Sequence, residues 1–197
     1  MNTLARRIAQ VFQKKDWVAQ EDIPWLIYVL ERRLLSGIFY ALIFIVGITS
    51  GSLMNIISFV VPFIFFRSKM GGWHAPSPPS CFILSLVVVV VNVFIIEPAL
   101  RTISVLILVT VNMIALFVVA IAKPIYPTSS HFDAEVAAAN NAIKKRAIVP
   151  FGLLQLLSLY CRQRIMRCGF LAIITVLFLL FVLIVINKLW RVKDEKH

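Results

Sequence analysis

Acidic side chains are scarce in this chain: nine Asp and Glu stand against 20 Lys and Arg, for a formal charge of +11. Charge of either sign is missing altogether from five long stretches, 34–66, 70–96, 102–122, 147–161 and 168–187. Residues of the apolar set make up 60% of the whole, and the mean hydropathy is strongly positive. A water-soluble globular domain does not tolerate that composition. Cysteine is also sparse. Cys81, Cys161 and Cys168 are an odd, unevenly spaced set, which argues against a disulfide framework. No apolar h-region follows Arg6 and Arg7, so no cleavable signal peptide is expected. Neither an internal repeat nor a long linker is visible, which disfavours an inverted-repeat transporter and makes one membrane domain over 1–197 the economical expectation.

The basic residues are placed as in a membrane protein. They sit at the ends of apolar stretches: Arg6, Arg7, Lys14 and Lys15, then Arg32-Arg33, Arg67, Lys69 and Lys144-Lys145-Arg146. Cytoplasmic loops carry such residues and meet anionic headgroups there, so nucleic acid is excluded as a partner. The expected fold is an all-α polytopic bundle. Stretches 102–122 and 168–187 match the roughly 20 residues that cross a bilayer as helix. Stretch 34–66 would be about 50 Å long as one helix, too long for a core of roughly 30 Å. Thr49-Ser50-Gly51-Ser52 in its middle reads as a turn. Six spans follow, at about 34–50, 52–66, 82–96, 102–122, 147–161 and 168–187. Charge alone does not decide whether 147–161 crosses, because at about 22 Å it is short. Residues 1–22 form an amphipathic segment, with Leu4, Ile8, Val11 and Phe12 on one face. It suits the membrane interface, the alternative being a solvated helix packed on the protein.

The chemistry-bearing segment is 67–81. His74 stands beside an apolar boundary and Cys81 follows seven residues later. On one continuous helix the two would lie about 10 Å apart along the axis, but Pro76, Pro78 and Pro79 oppose such a helix and permit a fold-back. Cys81 heads the next apolar stretch with Ser80 as the expected N-cap, so the free amides of the first turn would favour a thiolate and hold an oxyanion. Gly71-Gly72 leaves room for an extended peptide. Two other readings stay open on the residues alone. The pair can be a helix-end histidine and a small buried thiol, or two ligands of a metal, although a zinc signature needs a second pair.

Arg67, Gly72-Trp73-His74-Ala75 and Cys81, set between a second and a third span in a small basic membrane protein, resemble the accessory gene regulator B (AgrB) family. The Ala122-Lys123-Pro124 segment after 102–122 departs from the family's pattern. The resemblance implies a membrane cysteine endopeptidase of peptide quorum sensing, with catalytic His74 and Cys81 and with Arg67 and Gly72 in substrate-binding or supporting roles. It implies no cofactor and no metal. The partners are an AgrD-like amphipathic propeptide and the lipid bilayer, and a homodimer is allowed. The competing class is a non-enzymatic small membrane transporter or partner-binding subunit, for which spans this poor in ionisable residues are ill suited.

The charge placement puts 67–81 and 123–146 on the cytoplasmic side of the membrane, which the resemblance implies is a bacterial cell membrane. Single cysteines at Ser68 and Ser130, in a chain lacking the native cysteines, are expected to resist an impermeant thiol reagent in intact cells and to react in inverted vesicles. Labelling at Ser68 in sealed cells would place the segment outside and contradict this orientation.

Overall fold

The structure is a computed structural model and describes residues 2–15, 17–71, 77–125, 134–161 and 163–194. Among these, every regular element is a helix; the only β-pairing is an isolated parallel bridge between Gly71 and Ile125. The principal helices are α1 (Asn2–Lys14), α2 (Ile23–Thr49), α3 (Leu53–Met70), α4 (Pro78–Val90), the short α5 (Glu97–Ala99), α6 (Val105–Ile121), α7 (Ala134–Cys161) and α8 (Gln163–Asp194). A π turn, Val91–Ile96, joins α4 to α5. The chain divides into two compact units, Met1–Ser52 with Ala75–Val88, and Leu53–His74 with Val89–His197.

In the first unit, α1 lies against α2 with Ala5 and Ala9 fully buried, while Leu4 and Val11 stay exposed. The helix therefore packs on the protein through its small residues and keeps Leu4 and Val11 free, while Ile8 and Phe12 are half-buried. The turn expected at Thr49–Ser52 forms. Gly51 adopts φ 61°, its N–H donates to Ile48 O at 3.1 Å, and Ser52 N–H donates to Gly47 O at 2.9 Å. This is the Schellman arrangement, which needs a left-handed residue just past the helix and so favours glycine.

The second unit is built on α8, which packs against α3, α6 and α7. Its buried side chains include Met166, Phe170, Ile173, Val176 and Leu183. Two polar contacts cross the apolar interior. Asn112 on α6 donates to Gln155 on α7, and Thr175 on α8 donates to Asn92 Oδ1 at 3.2 Å. Gly169 leaves the space that Gln155 occupies, for a Cβ there would lie 2.6 Å from Gln155 Nε2.

Glu97 is wholly buried at one end of this unit. In the π turn residues five apart are stacked, so Asn92 and Glu97 share the buried side, and Glu97 N–H donates to Asn92 O. The carboxylate takes Arg164 Nε at 3.0 Å, Arg167 at 2.9 Å and Arg101 at 3.4 Å. At the other end, Lys69 donates to Asn140, Lys144 to Ala122 O, and Ile125 N–H to Met70 O. Both α6 and α7 join the two ends, so 147–161 runs between the same two ends as α6.

The six expected spans are not matched one for one. Among the described residues three helical stretches can cross a membrane by length and composition, Leu53–Met70, Pro79–Thr102 and Arg164–Ile186, with Val105–Ile121 a shorter apolar helix. The stretch expected as the first span is the second half of α2, continuous with the charged turn around Arg32-Arg33. The stretch expected as the fifth is the second half of α7, continuous with Lys144-Lys145-Arg146.

Arg101 and Arg164 are half-exposed and contribute little. The weight of the cluster falls on Glu97 and the buried Arg167, whose separation leaves an uncompensated charge inside the protein. Glu97→Gln is expected to destabilise the protein by about 3 kcal/mol, read as a lower thermal midpoint in detergent. An unchanged midpoint would remove the cluster from the forces holding this unit.

Candidate active site

Of the motif segment, Gly72, Trp73, His74, Ala75 and Pro76 lie outside the described residues. Arg67 stands in the last turn of α3, half-buried, with its guanidinium 5.6 Å from the centre of the Phe63 ring. Its carbonyl accepts the N–H of Gly71 at 3.0 Å, and Gly71 takes φ 77°. The chain thus turns out of α3 at a glycine, as a left-handed residue requires. Gly71 then pairs with Ile125, whose N–H donates to Met70 O at 2.9 Å.

Cys81 is half-buried in the first turns of α4. The next residue, Phe82, meets Phe39 of α2 edge-on at 6.3 Å. Helix α4 begins at Pro78, three residues earlier than expected, and Ser77 rather than Ser80 caps it. Ser77 Oγ accepts from Ser80 N–H at 3.4 Å, Ser77 N–H donates to Ser80 Oγ at 3.3 Å, and Ser80 Oγ donates to Ser77 O at 2.9 Å. This is a capping box made of two serines.

The shift changes the chemistry expected of this helix end. Pro78 and Pro79 have no N–H, Ser80 N–H is used by the cap, and Cys81 N–H donates to Ser77 O at 3.0 Å. The first turn therefore offers no free amide to an oxyanion, which corrects the expectation drawn from Ser80. The sequence signal was present, since proline is favoured at the first helical position.

The basic cluster also differs from expectation. Lys145 and Arg146 are exposed, but Lys144 is fully buried and donates to the carbonyl of Ala122, the C-cap of α6. Burial, with the neighbouring Lys145 charge second, holds the Lys144 ammonium below the ordinary lysine pKa. Of the acidic and histidine side chains in the polar segment 123–146, His131 and Asp133 lie outside the described residues and Glu135 is exposed in the first turn of α7. Cys168 is buried. Among the described residues no three His, Cys, Asp or Glu side chains gather as a metal would need. A cleft of about 510 Å³ is lined by Trp17, Val18, Ala19, Asp22, Trp25 and Leu26, and no motif residue is among them.

The family model of AgrB, accessory gene regulator B, matches residues 5–187. The chain belongs to the AgrB family. The match takes in most of the amphipathic start, the 67–81 motif and α8 as far as residue 187, and the family places the chain in the agr quorum-sensing system. No curated protein and no solved structure matches the chain significantly.

Loss of the Ser77 cap is expected to cost about 1 kcal/mol locally. Ser77→Ala should therefore speed amide exchange at Ser80 and Cys81 about fivefold. Unchanged exchange would show that the two prolines alone fix the start of α4.

Proposed function

We propose that this chain is a membrane cysteine endopeptidase that cleaves an AgrD-like autoinducer propeptide on its C-terminal side and closes the released segment into a thiolactone. What carries the reading is the family match across 5–187 together with Arg67, Gly72, His74 and Cys81 at the family's spacing.

In this mechanism Cys81 Sγ attacks the carbonyl of the scissile peptide bond while His74 takes the thiol proton. The C–N bond then breaks, His74 delivers the proton to the departing amine, and the N-terminal part of the propeptide remains on Cys81 as a thioester. A cysteine thiol within that part attacks the same carbonyl, forming the ring and returning the proton to Cys81. One thioester replaces another, so the exchange supplies little driving force. It needs water kept from the acyl-enzyme and removal of the product or cleaved tail. A half-buried thiol beside Phe82, at the start of an apolar helix, suits the first requirement. The spent amides of the first turn of α4 mean that the oxyanion must be met by other donors.

The ionisable residues bear on the transporter alternative. Glu97, Arg101, Arg164 and Arg167 group at one end of the second unit and Lys69 and Lys144 at the other. Charge gathered at the two ends of the unit fits surface chemistry better than a path through the bilayer.

Cys81→Ala and His74→Ala are each expected to abolish propeptide cleavage while the protein still accumulates in the membrane. Replacing Cys161 and Cys168 together by Ser should leave substantial activity. Activity should also survive strong chelators and be lost to thiol alkylation. Cleavage near the wild-type rate in either single variant would remove this mechanism, and chelator inactivation reversed by zinc would point to a metallopeptidase.

A further inference from the structure

A lysine with no exposed surface is an expensive way to fill space, because the ammonium loses its hydration and a Leu or Met would pack as well. Lys144 is such a residue, and its ammonium donates to Ala122 O, a carbonyl that the end of α6 leaves without a helical partner. A solvent-facing lysine could cap that helix with far less desolvation. Full burial adds a fixed position of the C-terminal end of α6 on the flank of α7.

The consequence travels along a short, stiff path. Only Lys123 and Pro124 separate Ala122 from Ile125, and the proline ring fixes one of the few free dihedrals. Ile125 N–H then holds Met70 O at 2.9 Å, and Ile125 bridges Gly71. A second strut comes from the same helix face. Asn140 lies one turn before Lys144, so the two side chains project from one side of α7, and Asn140 Oδ1 accepts from Lys69 Nζ at 3.0 Å. Helix α7 thus grips both partners of the bridge, one through Lys69 and the other through Ala122. His74 follows Gly71 by three residues.

We propose that Lys144 is a positioning residue for the general base: from α7 it anchors segment 122–125, which in turn fixes Met70 and Gly71 and so the point from which the chain runs on to His74. This rests on the assignment of His74 and Cys81 as base and nucleophile. It separates Lys144 from its neighbours, for a side chain without exposed surface does not meet a peptide substrate, whereas Lys145 and Arg146 face outward. Loosening the anchor should leave substrate binding alone and slow the chemistry, since a misplacement of about 1 Å is enough to cost roughly 100-fold.

The test uses the full-length protein in liposomes with Cys161 and Cys168 replaced by Ser, comparing Lys144→Met, Gly71→Ala and His74→Ala. Two quantities are read: kcat and KM for an AgrD-like propeptide, and the rate of Cys81 alkylation by iodoacetamide from pH 6 to 9. Lys144→Met and Gly71→Ala should each lower kcat on the order of 100-fold with KM little changed. Both should shift the alkylation pH profile toward that of His74→Ala. In the wild-type protein, amide exchange at Ile125 should be slow. If His74→Ala leaves the alkylation profile unchanged, the His–Cys assignment itself fails. If His74→Ala moves the profile and the other two variants do not, the positioning role is overturned. A raised KM at constant kcat in Lys144→Met would overturn it in favour of a substrate contact. Should neither variant accumulate, exchange at Ile125 as fast as in a free peptide would still overturn it.

Discussion

One buried carboxylate governs how the larger unit of this protein closes. Glu97 has no exposed surface and both of its oxygens are taken by guanidinium groups, from Arg101 on its own helix end and from Arg164 and Arg167 at the start of α8. Breaking such a pair by removing one partner is costly, because it strands a charge in a medium that solvates it poorly. The helix that carries the carboxylate and the helix that carries the arginines are thereby pinned at one end. With α8 fixed, α3, α6 and α7 pack around it, and the opposite end gathers Met70, Gly71, Ala122, Ile125, Asn140 and Lys144. The proposed base sits in sequence just beyond that second end.

Much of this was legible in the sequence, and the reasons for the rest are physical. Uncharged stretches and basic flanks foretell an all-helical membrane protein, since only helices and closed barrels satisfy backbone polar groups in lipid. Gly51 within a stretch too long for one span marks the break between α2 and α3, because a left-handed residue is what a Schellman turn demands. Helix ends were harder to read. Ser80 looks like a cap when Cys81 is taken as the first apolar residue, yet Pro78 and Pro79 are well suited to a first turn, and Ser77 is the residue that precedes them. The same slip of three residues removes the free amides that an oxyanion site would have used.

Burial of single charged residues was not legible at all. In the sequence Lys144 is one of three consecutive basic residues at the edge of an apolar stretch, and Glu97 is the acid that ends stretch 70–96. Whether either is buried depends on which distant segment folds against it: Ala122 lies 22 residues from Lys144, and Arg167 lies 70 from Glu97. No local pattern records such partners. The candidate site divides along the same line. The motif residues Arg67, Gly72, His74 and Cys81 are conspicuous in sequence, whereas the struts that fix the approach to His74 are tertiary contacts.

The account stands or falls on a covalent intermediate at Cys81. Purified protein in liposomes, mixed with an AgrD-like propeptide and quenched in acid during turnover, should show by intact-mass and peptide-mapping spectrometry the N-terminal part of the propeptide attached to Cys81. Hydroxylamine should release it, as it releases a thioester. Turnover that continues with no adduct at Cys81, or with the peptide carried on another residue, would contradict the account.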